Sequence, residues 1–383
     1  MNNTITKQRN SAVELLKIIG MFLIVLSHVA HTLGHTPDYL SEYNNVVYNL
    51  SLATADFKAV ILRIFLYFGN LGNAIFFVCS SWFLCELNTA KKEKVAQIIV
   101  DAWLISMIIV LCYLLSPEKI STVLIIKSFF PTIFQNNWYI SCYILFYLVV
   151  PFLNQILDSL ERKRYLKINI VLLGIYFIIG FVLPDSFQAN NLIEFFVIHT
   201  YIFYMKKYMR NLFKHRKTNL FILLTSLLIL LTIIISLNYV GLHMPMIQDK
   251  MMKFSNMQNP FIVLIAFSSL MIALNNEFYN SFINKISSLS LLIYILHENI
   301  IFSAYTRLRI EAYLVQSYGK ENILLIVLLF AIVLFVVSAL ISYIYQNTIQ
   351  KLTKKASSFL LDRFIFITNS FVEFLIKNTN KYN

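Results

Sequence analysis

"KIIGMFLIVLSH", residues 17–28, is the stretch whose reading decides the fold. Ten residues, nearly all apolar, separate a lysine from a histidine. An ionisable group inside a bilayer costs roughly 3 kcal/mol on insertion scales, so it is retained where it faces the interior of a helical bundle. Taken outward to residues 12–33, the apolar run is long enough to cross a membrane as a helix.

The rest of the chain repeats that pattern. Of 383 residues 58% are apolar and 13% charged, with 8 glycines and 7 prolines, a profile well outside that of soluble domains. The expected fold is all-α: a polytopic integral membrane protein with about ten transmembrane helices. Apolar runs of suitable length lie at 12–33, 61–85, 95–115, 138–157, 168–183, 191–205, 219–240, 260–275, 286–304 and 322–345. The runs 168–183 and 191–205 are short and could be read together as a hairpin. Residues 1–345 form the membrane domain. After Tyr345, residues 346–383 mix apolar clusters with charges as an interfacial amphipathic helix does, and a surface anchor without chemistry is the expected role of this tail.

Orientation follows from the lysines and arginines. Lys7 and Arg9 precede the first run, and alternate loops carry Lys91, Lys92 and Lys94, then Arg162 to Lys167, Lys206 to Lys217, and Lys285, with Lys351, Lys354 and Lys355 in the tail. The positive-inside rule places both termini in the cytoplasm. The net charge of +13 is then largely a topology signal, and no nucleic-acid partner is expected, for want of a basic helix or an aromatic-interleaved patch. Glu14 and Lys17 interrupt the start of the first run and no small-residue cleavage site follows, so a retained helix is expected in place of a secretory signal. Cys79, Cys85, Cys112 and Cys142 all lie in apolar runs without a CxxC pair, which indicates neither a disulfide framework nor a metal site. No internal repeat and no GxxxG-type packing signature stands out. The longest outward connection, 34–60, is a candidate lid or acceptor-binding element.

Lys17 and His28 are eleven residues apart and return to nearly the same helix face, roughly 16 Å apart along the axis. Glu14, Met21, His31 or Thr32, and His35 continue that stripe, which should line a wet interior cavity. A second polar interruption, His297–Glu298, lies inside "ISSLSLLIYILHENIIFS". A carboxylate at that depth needs a partner. It is either an interhelical structural contact or the orienting group of an imidazole used in acid–base work.

These segments resemble acyltransferase family 3, ten-span membrane acyltransferases that modify bacterial surface glycans. "ELLKIIGMFLIVLSH" (14–28) is similar to the family's first helix, in which a basic residue, more often arginine, precedes a histidine by ten intervening residues. "AIFFVCSSWFL" (74–84) resembles the second-helix run with Ser81 in place of the usual glycine. "NNWYISCYILFYLVVPFLN" (136–154) and "ISSLSLLIYILHE" (286–298) resemble two later helices. The four segments occur in the family's order over about 300 residues. An Arg-Arg doublet used by some members near the second helix is missing, with Arg63 the sole candidate, and no fused hydrolase-like domain is seen after residue 345. The resemblance implies O-acylation, commonly acetylation, of a sugar or polyol hydroxyl from acetyl-CoA or another cytoplasmic acyl-CoA, in a bacterial plasma membrane.

The residues suit that chemistry. Lys17 with Glu14 sits where the donor's phosphates would arrive, since lysine serves as a point-charge phosphate ligand. His28 lies about a pantetheine arm's length further in, as general base or transient acyl carrier. Glu298 is its expected partner, with His297 the alternative contact. Trp138, Tyr143, Tyr147, Tyr294 and His31 are candidates for binding the acceptor, and Ser80, Ser81 and the Tyr294 hydroxyl for stabilising an oxyanion; ordinary packing competes for each. No metal is expected. The partners are membrane lipids and a surface glycan or its lipid-linked precursor, with envelope-assembly proteins a further option. A transporter or flippase of a lipid-linked glycan is the reading from another class, and it predicts activity without acyl-CoA.

Overall fold

The computed structural model describes residues 9–34, 50, 52–116, 120–134, 137–182, 191–211, 214–248, 251, 256–354, 357–359, 361–363 and 370. Among these residues all regular structure is helical. The elements are α1 (Ser11–Gly34), α2 (Phe57–Leu84), α3 (Lys92–Leu114), α4 (Thr122–Phe129), α5 (Trp138–Ser159), α6 (Arg162–Leu172), α7 (Gly180–Val182), α8 (Asn191–Tyr208), α9 (Arg216–His243), α10 (Pro245–Gln248), α11 (Pro260–Leu274), α12 (Ser281–Ser288), α13 (Ser290–His297), α14 (Leu308–Tyr318) and α15 (Ile323–Asn347). π-Helical turns at Leu173–Ile179 and Phe302–Arg307 join α6 to α7 and lead into α14.

Six helices are each long and apolar enough to cross a membrane: α1, α2, α3, α5, α9 and α15 with its leading turn. The remaining long elements are the continuous α6–α7 helix, α8, α11, which is apolar but shorter, and the α12–α13 pair. The helices wear their apolar residues on two sides. Val13, Met21, Ile24 and Val25 of α1 are buried in the bundle, whereas Phe221, Leu228, Leu329, Leu340 and Ile344 of α9 and α15 lie exposed, as lipid-facing side chains do. One end of the bundle gathers the basic loops: Lys206 reaches Glu86 at 2.8 Å, Lys207 reaches Asp158 at 2.6 Å, and Lys285 donates to Gln346 at 2.7 Å.

α1 and α2 form the tightest pair. A Cβ on Gly20 would lie 3.2 Å from the Gly72 carbonyl oxygen, and one on Gly69 would collide with Ser27. The two backbones can approach this closely because those positions are small, and Ser27 Oγ donates across the seam to the Leu66 carbonyl at 2.9 Å. The glycines of α2 are three apart, G-x-x-G, a spacing outside the GxxxG pattern sought in the sequence.

The ninth expected span, 286–304, is an interrupted helix. The chain breaks at Leu289 between α12 and α13, and again after His297. Asn299 stands at the second break and caps the next turn: its Oδ1 accepts from the amides of Ile301 at 3.0 Å and Phe302 at 3.3 Å. Neither glycine nor proline is involved. The beginning of the tail is also more engaged than an anchor requires. Asp101, buried in α3, accepts from Tyr345 Oη at 2.9 Å and from Gln350 Nε2 at 2.6 Å, and Ser357 donates to Gln97 at 3.0 Å.

Candidate active site

The two polar interruptions of the sequence meet. His28 Nδ1 lies 2.6 Å from Glu298 Oε2 and 3.1 Å from His297 Nε2, with the imidazole planes tilted by 31°. The break after α13 makes this possible, because it releases Glu298 from the helix at the point where His28 faces it. Hydrogen-bond logic then orders the donors and acceptors. His297 Nδ1 faces the Ile293 carbonyl at 2.7 Å, which can only accept, so the His297 proton sits on Nδ1 and its Nε2 is a lone pair. His28 Nδ1 must therefore carry a proton shared between His297 Nε2 and the Glu298 carboxylate. With that proton on Nδ1, Nε2 is the ring nitrogen left without a partner among the described residues.

Arg307 completes the arrangement. Its Nη1 donates to Glu298 Oε2 at 3.3 Å and to the His297 carbonyl at 3.1 Å, and its Nε donates to Thr32 Oγ1 at 2.8 Å, while Thr32 donates to the His28 carbonyl at 2.9 Å. One buried guanidinium thus ties α1, the break after α13 and the second π turn together, and it balances the carboxylate's charge. In the sequence Arg307 counts among the loop cations, and nothing there assigns it this role. The signal was its setting in "SAYTRLRIEAYLV" (303–315), where the apolar period puts Leu308, Ala312 and Val315 inside. His28, His297 and Glu298 also present three ligand-type atoms within 4.8 Å of one another, a donor set that suits a divalent ion in type. Arg307, bonded to the same carboxylate oxygen, already supplies positive charge there.

The other expected residues divide. Lys17, 3.3 Å from Glu14 and 6.0 Å from the Phe83 ring centroid, stands at the basic end, and the Ser287 hydroxyl donates to the same Glu14. Tyr294 is buried against the site, its ring 5.9 Å from that of His297 and 6.0 Å from that of Tyr139, and its hydroxyl finds no side-chain partner among the described residues. Trp138 packs edge-on against Tyr139 at 5.7 Å. Tyr143 stacks on Tyr147 at 5.9 Å, and Lys94 Nζ lies 3.3 Å from its hydroxyl and 4.8 Å from the Tyr147 ring. His31 is exposed one turn beyond His28. His35 and most of the 34–60 connection lie outside the described residues.

A second histidine network has no counterpart in the sequence analysis. Ser81 Oγ is 2.7 Å from His199 Nδ1, His199 Nε2 is 2.8 Å from Asn154 Oδ1, and Asn154 Nδ2 donates to the carbonyls of Leu84 and Leu87. Ser81 and His199 are fully enclosed. The hydroxyl at position 81, singled out as a departure from glycine, is thereby used as a tie between α2 and α8. Arg63, the other cation singled out, is buried and donates to the Leu50 carbonyl at 3.0 Å, to the Leu52 carbonyl and to Asn238, while the Thr54 amide donates to the same Asn238 oxygen, fastening Leu50, Leu52 and Thr54 against α9.

No curated protein and no solved structure matches the chain. A family model does: that of the acyltransferase domain of acyltransferase family 3, over residues 10–345. The match begins just ahead of α1, ends within α15, and encloses every residue of the His28 constellation. By that match, over nearly its whole length, this membrane protein belongs to acyltransferase family 3.

Proposed function

We propose that this acyltransferase moves an acyl group, most simply acetyl, from cytoplasmic acyl-CoA to a hydroxyl of a cell-surface polysaccharide or its lipid-linked precursor in a bacterial plasma membrane. The observation that carries the proposal is the uncommitted Nε2 of His28, held in a defined tautomer by His297 and Glu298 on the helix that also bears Lys17. Nε2 takes the acceptor's hydroxyl proton, the oxygen attacks the thioester carbonyl, and the carbon–sulfur bond breaks. The proton passes from Nε2 to the departing thiolate, so no net charge is left behind. Glu298 at 2.6 Å stabilises the imidazolium formed on the way. The hydroxyl of Tyr294, with no side-chain partner among the described residues, is a donor available to the oxyanion. Lys17 and Lys94, each close to an aromatic ring at the basic end, are suited to the donor's phosphates.

The test is the ester-linked acyl content of surface glycans, by mass spectrometry before and after mild alkali. Cells lacking the protein are compared with cells carrying wild type or His28→Ala at matched membrane levels. Restoration of an alkali-labile group by wild type alone supports the proposal and names the acyl group from its mass. Equal restoration by both removes His28 from the chemistry. The interrupted α12–α13 segment is the one feature that favours a transporter, and a change in glycan export with unchanged acyl content would give that reading the lead.

A further inference from the structure

α14 carries one residue that its apolar pattern does not explain. The inner face of the helix, Leu308, Ala312 and Val315, is buried, and Val315 joins an apolar cluster with Val29 and Leu33 of α1 and Ile323 and Val327 of α15. Glu311 stands on that same face, 1% exposed, and neither Oε1 nor Oε2 has a hydrogen-bond partner among the described residues. A carboxylate enclosed in this way is costly, so it calls for a partner that the fold itself does not supply. Arg307, one turn earlier, is also buried. It commits Nε and Nη1 to Thr32, the His297 carbonyl and Glu298, while its Nη2 has no partner among the described residues. Helical side chains lean toward the N-terminus, which carries the Glu311 carboxylate over the Arg307 turn.

We infer that Glu311 and Arg307 together bind hydroxyls of a sugar or polyol acceptor, on the outer side of His28. This rests on the acyltransferase proposal and gives its acceptor a subsite. Charge selects the ligand. The carboxylate only accepts hydrogen bonds and the guanidinium only donates them. An ammonium or metal cation that satisfied Glu311 would be set against Arg307, and an anion held by Arg307 Nη2 would be set against Glu311. A hydroxyl suits both, because it donates to the one and accepts from the other, and neighbouring hydroxyls of one ring can take the two in turn. Position agrees with this chemistry. α14 leads through Gly319 to the start of α15, and the far end of α15 meets Lys285 through Gln346, so Glu311 lies toward the end of the bundle away from the basic loops. Thr32, one turn beyond His28 on α1, is the residue bonded to Arg307 Nε, so the subsite begins one turn outward of the candidate base. The donor, on this reading, comes from the opposite end beside Lys17.

Purified protein in lipid nanodiscs, without any acyl donor, is titrated with the methyl glycosides of glucose, galactose, mannose and N-acetylglucosamine, and binding is read by saturation-transfer difference NMR. The expected result is binding of at least one glycoside and not of its fully O-methylated counterpart, which can accept hydrogen bonds but no longer donate them. Glu311→Gln and Glu311→Leu should each weaken that binding by about tenfold, as loss of a hydrogen bond to a charged group does, with Glu311→Asp intermediate. The thermal midpoint gives a second readout that a purely structural role would move the other way. With no bond inside the fold to lose, Glu311→Gln should leave the midpoint unchanged or raise it. No glycoside bound by wild type, undiminished binding by the folded Gln and Leu variants, or a lowered midpoint for Glu311→Gln would overturn the inference. Because no acyl transfer is measured, these outcomes are read independently of the glycan assay.

Discussion

Two histidine networks stand among the described residues, and they differ in one respect that matters. His199 has both ring nitrogens committed, to Ser81 at 2.7 Å and Asn154 at 2.8 Å, inside a fully enclosed site. His28 has only Nδ1 committed, and to two partners at once, with a side chain 22% exposed. A saturated ring stabilises its surroundings, because removing it strands the groups it satisfied. An unsaturated ring in a fixed tautomer has a lone pair left for a substrate. The superficially triad-like Ser81–His199–Asn154 group is therefore the clamp, and the less regular His28 group is the candidate reaction centre.

The comparison breaks or sharpens under substitution. His28→Ala should lower acyl transfer by about 10²–10⁴-fold while leaving the protein folded in the membrane, as loss of a general base does; retention of a tenth of the wild-type rate would end the contrast. Glu298→Gln keeps the shape and removes the charge facing the imidazolium, and a loss of roughly 10²-fold in kcat is expected. Arg307→Lys retains the charge but not the fork that reaches Thr32, the His297 carbonyl and Glu298, so kcat should fall by about tenfold with intact membrane insertion. Lys17→Ala should act on the donor alone, raising its KM about fivefold for roughly 1 kcal/mol of lost phosphate attraction. The smallest effect on transfer belongs to His199→Ala. It should cost roughly 1–3 kcal/mol of stability, seen as a lower thermal midpoint in detergent, while kcat per folded molecule stays near wild type.

The sequence revealed the fold class, since lipid-facing surfaces demand long apolar helices. It also showed His28, His297 and Glu298 as costly intramembrane groups in need of partners, and the structure brings those three together. Three things were not legible. The break after His297 depends on one asparagine side chain capping amides in a run that still reads as apolar. Arg307 looks like any interfacial cation until the π turn brings it back over Thr32. The Ser81–His199 tie joins residues 118 apart with no local pattern to announce it.

The glycine seam between α1 and α2 has a consequence for donor choice. Lys17 and His28 ride one helix, roughly 16 Å apart, and with Gly20 against Gly72 and Gly69 against Ser27 that helix cannot slide past its neighbour, so the ruler is fixed in length by α1 and in place by the seam. On the proposed function the enzyme gauges its donor by the distance from phosphate to thioester, more than by the nature of the acyl group. One residue inserted between positions 20 and 28 would turn the histidine by about 100° and leave the measure nearly intact in length but useless in direction.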